Sequence, residues 1–161
     1  MTVKPLDIEL HDRRRPTLER VLLVDDDKSV RESLNEVLVC EGYLVTQAAN
    51  GEEAIQAMES QHVDVILLDL NMPRLNGWDT FEHLIERWPL VPILIVTARP
   101  NQLFLAASAG AAALLEKPVD IAAMICAIRS AIDEPTSVRL ARLAGGGDNF
   151  VFSTGQVAGG R

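Results

Sequence analysis

The chain has only two cysteines among its 161 residues. Cys40 and Cys126 match no metal-ligand spacing, which excludes a cysteine-built metal site. Both fall in apolar helical patterns, which predicts reduced thiols in the core. Long hydrophobic runs are lacking too, and no stretch approaches the roughly 20 apolar residues that span a bilayer. The N-terminal MTVKPLDIELHDRRRP carries charge with no apolar stretch behind it, so it does not read as a secretory signal. The expectation is a cytoplasmic protein without membrane insertion. Basic residues are scarce: 18 acidic side chains face 8 basic ones between Thr17 and Asp133. Nucleic-acid phosphates need basic partners, so direct nucleic-acid binding is not expected. The cluster Arg13, Arg14, Arg15 is too short to change that and reads as a solvated segment. No G-x-G-x-x-G follows the first apolar run, which excludes a dinucleotide-binding Rossmann domain. There is no internal repeat.

What is present is an ordinary soluble composition, 48% apolar and 24% charged, in a length that suits one domain with short appendages. Apolar runs occur at Val21–Val24, Val63–Leu68 and Ile93–Val96, with weaker ones at Tyr43–Ala48 and Ala112–Leu115. Short runs on consecutive positions are how strands buried on both faces read. Helical spacing fills the gaps. Val30, Leu34, Val37 and Leu38 share one face; Ala54, Ile55 and Met58 mark a second helix, and Phe81, Leu84 and Ile85 a third. Leu103, Ala106 and Ala107 mark a short fourth; Ile121, Met124, Ile125, Ile128 and Ile132 mark a fifth, with Asp120 placed to cap it. Five such strand–helix units imply right-handed crossovers and a parallel sheet covered on both faces, a doubly wound α/β sandwich of three layers.

The expected division is an N-terminal extension at 1–18, one domain at 19–133, and a glycine-rich tail at 134–161. The tail holds six of the ten glycines. Val138, Leu140 and Leu143 could extend a helix, and Phe150, Val151 and Phe152 could dock as an edge strand, but the composition favours a mostly irregular segment.

In open α/β sheets, ligands bind outside the carboxyl ends of the strands. The polar residues just past the apolar runs are Asp25, Asp26 and Asp27 after the first, Asp69 after the third, Thr97 after the fourth, and Lys117 after the fifth. The second run ends in Ala48, Ala49 and Asn50. Converging carboxylates repel by about 4 kcal/mol per pair at about 4 Å and an effective dielectric of 20. A hard divalent cation makes such a cluster tolerable; Mg²⁺ suits one or two carboxylates, a carbonyl, waters and a phosphate oxygen. Lys117 can pair with another phosphate oxygen. Taken singly, Asp25 or Asp27 could cap the first helix, Thr97 could be a strand-end hydroxyl and Lys117 a surface charge. His11, His62 and His83 have no partner pattern, and packing accounts for Trp78 and Trp88.

The acidic pair after the first strand, DLNMPRLNG at 69–77, Thr97-Ala98, and Lys117-Pro118 occur in the order and spacing of a known family. Over residues 19–133 the chain resembles the receiver domain of two-component response regulators. The resemblance implies a flavodoxin-like (βα)5 fold with five parallel strands in the order 2-1-3-4-5. It implies Asp69 as phosphoacceptor and Asp26 as direct metal ligand, with Asp25 acting mainly through water. The Asn71 backbone carbonyl completes a Mg²⁺ site (Mn²⁺ as an alternative). Thr97 would hydrogen-bond the phosphoryl oxygen, Lys117 would pair with it, and the Lys117–Pro118 peptide would be cis, aiming the lysine inward. Gly77 would permit a tight turn before the third helix.

The phosphoryl donor implied is a sensor histidine kinase or a histidine phosphotransfer domain, in a two-component system or phosphorelay. The output implied is a downstream protein, or a second copy in a homodimer, reading the face built by the fourth helix, fifth strand and fifth helix. No DNA-binding effector domain is expected on the chain, nor enzymatic activity beyond its own phosphoryl transfer and acyl-phosphate hydrolysis. Arg99 and Asn71, each two residues beyond a site residue, are expected to tune the phosphoryl lifetime.

One position departs from the family pattern. Leu114 stands three residues before Lys117, where these domains often carry an aromatic switch residue. The weakly charged stretch at 101–115 is also unusual: Leu103, Phe104 and Leu105 cannot all face the sheet, so one is expected at an apolar output surface.

Two rivals remain at this point. In a haloacid-dehalogenase-type phosphatase, Asp25, Asp27 and Ser29 would mimic the D-x-D-x-T/S signature, but Asp69 and its flanking stretch would go unexplained. A pseudo-receiver would keep the fold without the phosphoryl chemistry, which the complete set of acidic, hydroxyl and ammonium residues argues against.

Overall fold

The computed structural model describes residues 18–72, 76–146 and 150–155. The elements follow in the order β1 (Arg20–Val24), α1 (Lys28–Cys40), β2 (Leu44–Ala48), α2 (Gly51–Ser60), β3 (Val65–Asp69), α3 (Gly77–Arg87), β4 (Ile93–Thr97), α4 (Leu103–Ser108), β5 (Ala113–Glu116), α5 (Ile121–Asp133), α6 (Thr136–Leu143) and β6 (Val151–Ser153). The strands form one parallel sheet in the order β2-β1-β3-β4-β5-β6.

Every residue of β3 and β4 is buried, as is β1 from Val21 onward, because helices cover both sides of the sheet. Alternation along each strand divides the core. Val21, Leu23, Val65, Leu67 and Leu94 pack with Leu34 and Leu38 of α1 and with Met124 and Ile128 of α5. Leu22, Val24, Ile66, Leu68 and Ile95 pack with Met58 of α2, Phe81 and Leu84 of α3, and Ala106 of α4. Each such fully buried side chain contributes about 1.5–3 kcal/mol over an exposed one. The three layers expected from the pattern of runs are therefore present.

Side-chain caps start four of the helices. Asp27 accepts from Ser29 N and Val30 N, and Asp120 from Ala123 N, as its position predicts. Asn50 accepts from Glu53 N at 2.9 Å, while Glu53 reaches back to Ala49 N at 2.7 Å. Asn76 accepts from Trp78 N. Each cap is worth about 1 kcal/mol.

The sequence expectations need correction at five places. Among the described residues the sheet has six strands rather than five, because Val151–Ser153 pairs with β5. The segment after residue 133 is also less irregular than its glycines suggest, since α6 and β6 both form there. What fixes α6 is charge: Arg142 and Glu134 form a buried ion pair, Arg142 Nε donates to Gly110 O at 3.4 Å, and Arg139 donates to Leu90 O and Ala131 O. Cys40 and Cys126 are exposed, not core thiols; Cys40 ends α1 and Cys126 lies on the outer side of α5. Leu103, Phe104 and Leu105 are all exposed, where only one was expected to be.

Gly77 is the fifth. It has no positive φ, so a turn does not require it. A Cβ there would stand 2.3 Å from Leu70 Cα and 2.6 Å from Leu70 O, so the start of α3 presses directly on the chain leaving β3. Gly77→Ala is accordingly expected to destabilise the fold by about 3 kcal/mol, read as a lowered urea midpoint with an unchanged slope. A wild-type midpoint would show that α3 can back away from the chain after β3.

Candidate functional site

Four strands deliver their end residues to one rim of the sheet. Asp25 follows β1 and is held there by its N–H donating to Ala48 O at 3.1 Å. Its carbonyl accepts from Arg31 Nη1 at 2.6 Å. Asp69 is the last residue of β3, and Thr97 the last of β4. Lys117 follows β5, with its N–H on Thr97 O at 2.9 Å. The Lys117–Pro118 peptide is cis.

The side chains converge. Asp25 and Asp69 are 2% and 3% exposed, whereas Asp26 is open to solvent. One carboxylate oxygen from each of Asp25, Asp26 and Asp69 lies within 4.8 Å of the others. Lys117 Nζ donates to Asp25 Oδ2 at 2.8 Å and to Asp69 Oδ2 at 3.3 Å. The remaining oxygens are also engaged: Asp25 Oδ1 accepts from Asp27 N and Asp69 Oδ1 from Asn71 N, both at 2.9 Å. The fully buried Thr97 hydroxyl accepts from Arg99 N at 3.0 Å.

Burial pushes the Asp69 carboxyl above its ordinary value and the Asp25 charge adds to this, against the opposing Asn71 N–H and Lys117. For Lys117, burial works to lower the value, but the hydrogen bond to Asp25 and the charges of Asp69 and Asp25 outweigh it, and the ammonium is held above its usual range. One geometry explains both directions. Two carboxylates share one ammonium, so the lysine gains more from the cluster than Asp69 does. Asp27 goes the other way, lowered by hydrogen bonds from the Ser29 hydroxyl and the Val30 and Ser29 amides. That fits its place as the cap of α1, outside the acidic cluster.

Three carboxylates against one ammonium leave negative charge uncompensated. An all-oxygen donor set of this kind suits a small hard divalent cation. The residues present therefore fit Mg²⁺.

All the residues expected from the sequence lie on this rim: Asp25, Asp26, Asp69 and Lys117 in contact range, Thr97 at the end of the next strand, and Asn71 two residues past Asp69. His62, by contrast, pairs with Asp64 at 2.8 Å on the surface. Sequence reasoning missed Arg31, whose anchorage of the Asp25 carbonyl depends on a helix folding back over the strand end. It also missed the bond from Trp78 Nε1 to Gln102 Oε1 at 3.1 Å, which ties the start of α3 to the residue preceding α4. No local sequence signal marks either contact. A groove of about 1170 Å³ between α5, α6 and β6 contains none of these residues.

The description response regulator receiver domain belongs to the family model that matches residues 21–129. Response regulator MprA of Mycolicibacterium vanbaalenii is 36% identical over 119 residues, covering 73% of this chain and 52% of that protein. Its counterpart from Mycobacterium ulcerans is 37% identical over 113 residues, covering 69% and 49%. The chain thus spans about half the length of the curated relatives it matches. Among solved structures, a CheY-like receiver domain protein from Methanospirillum hungatei superposes with a TM-score of 0.68 at 29% identity, covering 73% of this chain and 95% of that one. Response regulator TrrA of Thermotoga maritima, solved in complex with Mg²⁺-BeF, gives 0.66 at 28% identity, covering 71% and 99%. The matched region runs from the first strand into α5, across the whole carboxylate-bearing rim, and the chain belongs to the response regulator receiver domain family of two-component signalling.

Proposed function

We propose that this chain accepts a phosphoryl group on Asp69, with Asp25, Asp26, Asp69 and the Asn71 carbonyl holding Mg²⁺, and with Thr97 and Lys117 binding the transferred group. Receivers of this family bind Mg²⁺ through an acidic cluster, here Asp25, Asp26 and Asp69. The bound ion supplies charge neutralisation for the incoming phosphoryl oxygens; Mn²⁺ carries the same charge and suits the same oxygen donors. The observation that carries the reading is the convergence of those three carboxylates within 4.8 Å, with Lys117 Nζ spanning two of them.

An oxygen of Asp69 attacks phosphorus as the bond from phosphorus to the donor's imidazole nitrogen breaks. The electron pair of that bond stays on the ring, whose other nitrogen already carries a proton, so an acyl phosphate and a neutral histidine result. The loose transition state needs little covalent help, so the chain's contribution is position and charge. Lys117 follows the new negative charge, exchanging part of its hold on Asp25 for a phosphoryl oxygen. The Thr97 hydroxyl, which accepts from Arg99 N, still has its proton to donate.

Response regulators act between histidine kinases and downstream partners. We assign the donor here as a sensor kinase or a histidine phosphotransfer domain, and the output as a cytoplasmic protein–protein contact, with self-association as a second form. Among the described residues no helix is long and apolar enough to cross a membrane. Because β6 lies along β5, the output face consists of α4, α5 and the outer side of β6. Exposed Leu103, Phe104 and Leu105 supply its apolar contacts.

Incubation with acetyl phosphate and Mg²⁺ is expected to place close to one acid-labile phosphate per chain, and Asp69→Ala to abolish it. Equal incorporation into the variant would remove Asp69 from its role.

A further inference from the structure

The tail does more than extend the sheet. Val151, Phe152 and Ser153 run parallel to Ala113, Leu114 and Leu115, and Val151 N donates to Ala112 O at 3.4 Å. Phe150 packs against the cluster that contains Leu114. Two residues past β6, Gly155 meets the chain just beyond β5. A Cβ on Gly155 would stand 2.7 Å from Pro118 O, 2.8 Å from Pro118 N and 2.9 Å from Glu116 O. These are backbone atoms, so no side chain can swing away to make room. They flank Lys117, whose ammonium spans Asp25 and Asp69. On its other side, the Lys117 backbone is held by Thr97 O at 2.9 Å.

We infer that β6 and Gly155 form an intramolecular clamp that fixes the Lys117 backbone, making Gly155 a positioning residue for phosphoryl binding. The inference rests on the acceptor reading above. Its logic is reciprocal: if the docked tail holds Lys117 where a phosphoryl oxygen needs it, a bound phosphoryl group must tighten the tail by the same factor. Because the clamp lies along β5, it also occupies in cis the strand edge that an extended segment of another protein would need. Gly155 suits this contact because only a residue without a side chain lets two backbones approach so closely.

The test uses the full chain, with Mg²⁺ and beryllofluoride as the probe. In the wild type, binding is expected to slow amide exchange in residues 151–153 by about 5-fold or more, the lower end of ordinary coupling between sites. Gly155→Ala is expected to weaken beryllofluoride binding by a similar factor. Val151→Pro is expected to do the same by a separate route, since it removes the N–H on Ala112 O without touching Gly155. Neither residue is among the groups proposed to hold the ligand. Because a ligand bound only by the native state slows every amide that exchanges through global unfolding, the slowing in 151–153 is read as its excess over that in α2 (Gly51–Ser60). Slowing in 151–153 no greater than that in α2 overturns the clamp, as does wild-type affinity in either variant. A wild type that does not bind beryllofluoride overturns the acceptor reading and the clamp with it.

Discussion

Lys117→Ala is expected to lower the unfolding free energy of the metal-free chain by about 3–5 kcal/mol, the usual cost of leaving a buried charge without its partner. Nζ lies 2.8 Å from Asp25 Oδ2 and 3.3 Å from Asp69 Oδ2, on two side chains that are almost wholly buried. Urea unfolding at pH 7 measures the difference. Mg²⁺ should narrow it, because without the competing ammonium the unpaired carboxylates hold the ion more tightly in the variant than in the wild type, and native-state binding adds stability in proportion. The pH dependence has a definite sign. Lys117 titrates above its ordinary value in the fold, so its contribution is complete below pH 10.5 and fades as pH rises through the raised value. A loss below about 0.5 kcal/mol, typical of an exposed lysine, would show that the ammonium does not hold the cluster together.

Asp69→Asn should act in the opposite direction on stability while removing the proposed acceptor. Burial raises the Asp69 value in the folded chain. The native state therefore holds this proton more tightly than the unfolded state, and stability falls as pH rises from 3.8 through the raised value, then levels off. At neutral pH the ionised carboxylate is a standing cost, and the neutral isostere relieves it. The expected gain is on the order of 1 kcal/mol without Mg²⁺, seen as a higher thermal midpoint at pH 7 that converges with wild type toward pH 3. With excess Mg²⁺ the order should reverse, since the variant lacks one of the three carboxylates. A variant less stable than wild type without Mg²⁺ would mean that the hold on Lys117 outweighs burial at Asp69.

Much of this was legible because the signals are local. Leu22-Leu23, Ile66-Leu67-Leu68 and Leu94-Ile95 read as strands from unbroken apolar runs, and the residues just beyond them had to meet at one rim once the sheet was parallel. Asp27 and Asp120 as caps needed only their places ahead of a helical pattern. What escaped depends on distant chain segments. Val151–Ser153 is three residues long and gains its identity as a strand only from β5, 38 positions earlier in every registered pair. Buried Arg142 is polar in the sequence and becomes part of the interior only when Glu134 and the Gly110 carbonyl surround it. The cysteines failed for a related reason. Their neighbours are apolar, but helical rotation turns Cys126 outward between the buried Ile125 and Ala127.

The fourth helix is six residues long, lacks a side-chain cap, and buries only Ala106 while Phe104 is 79% exposed. Isolated helices need about 12–15 residues to stand in water, so this one persists only through what it touches. Such a segment opens at a small free energy while the sheet beneath it stays intact. Under the output face proposed above, a signal would be carried by how often one short helix opens, rather than by the swing of a rigid lever.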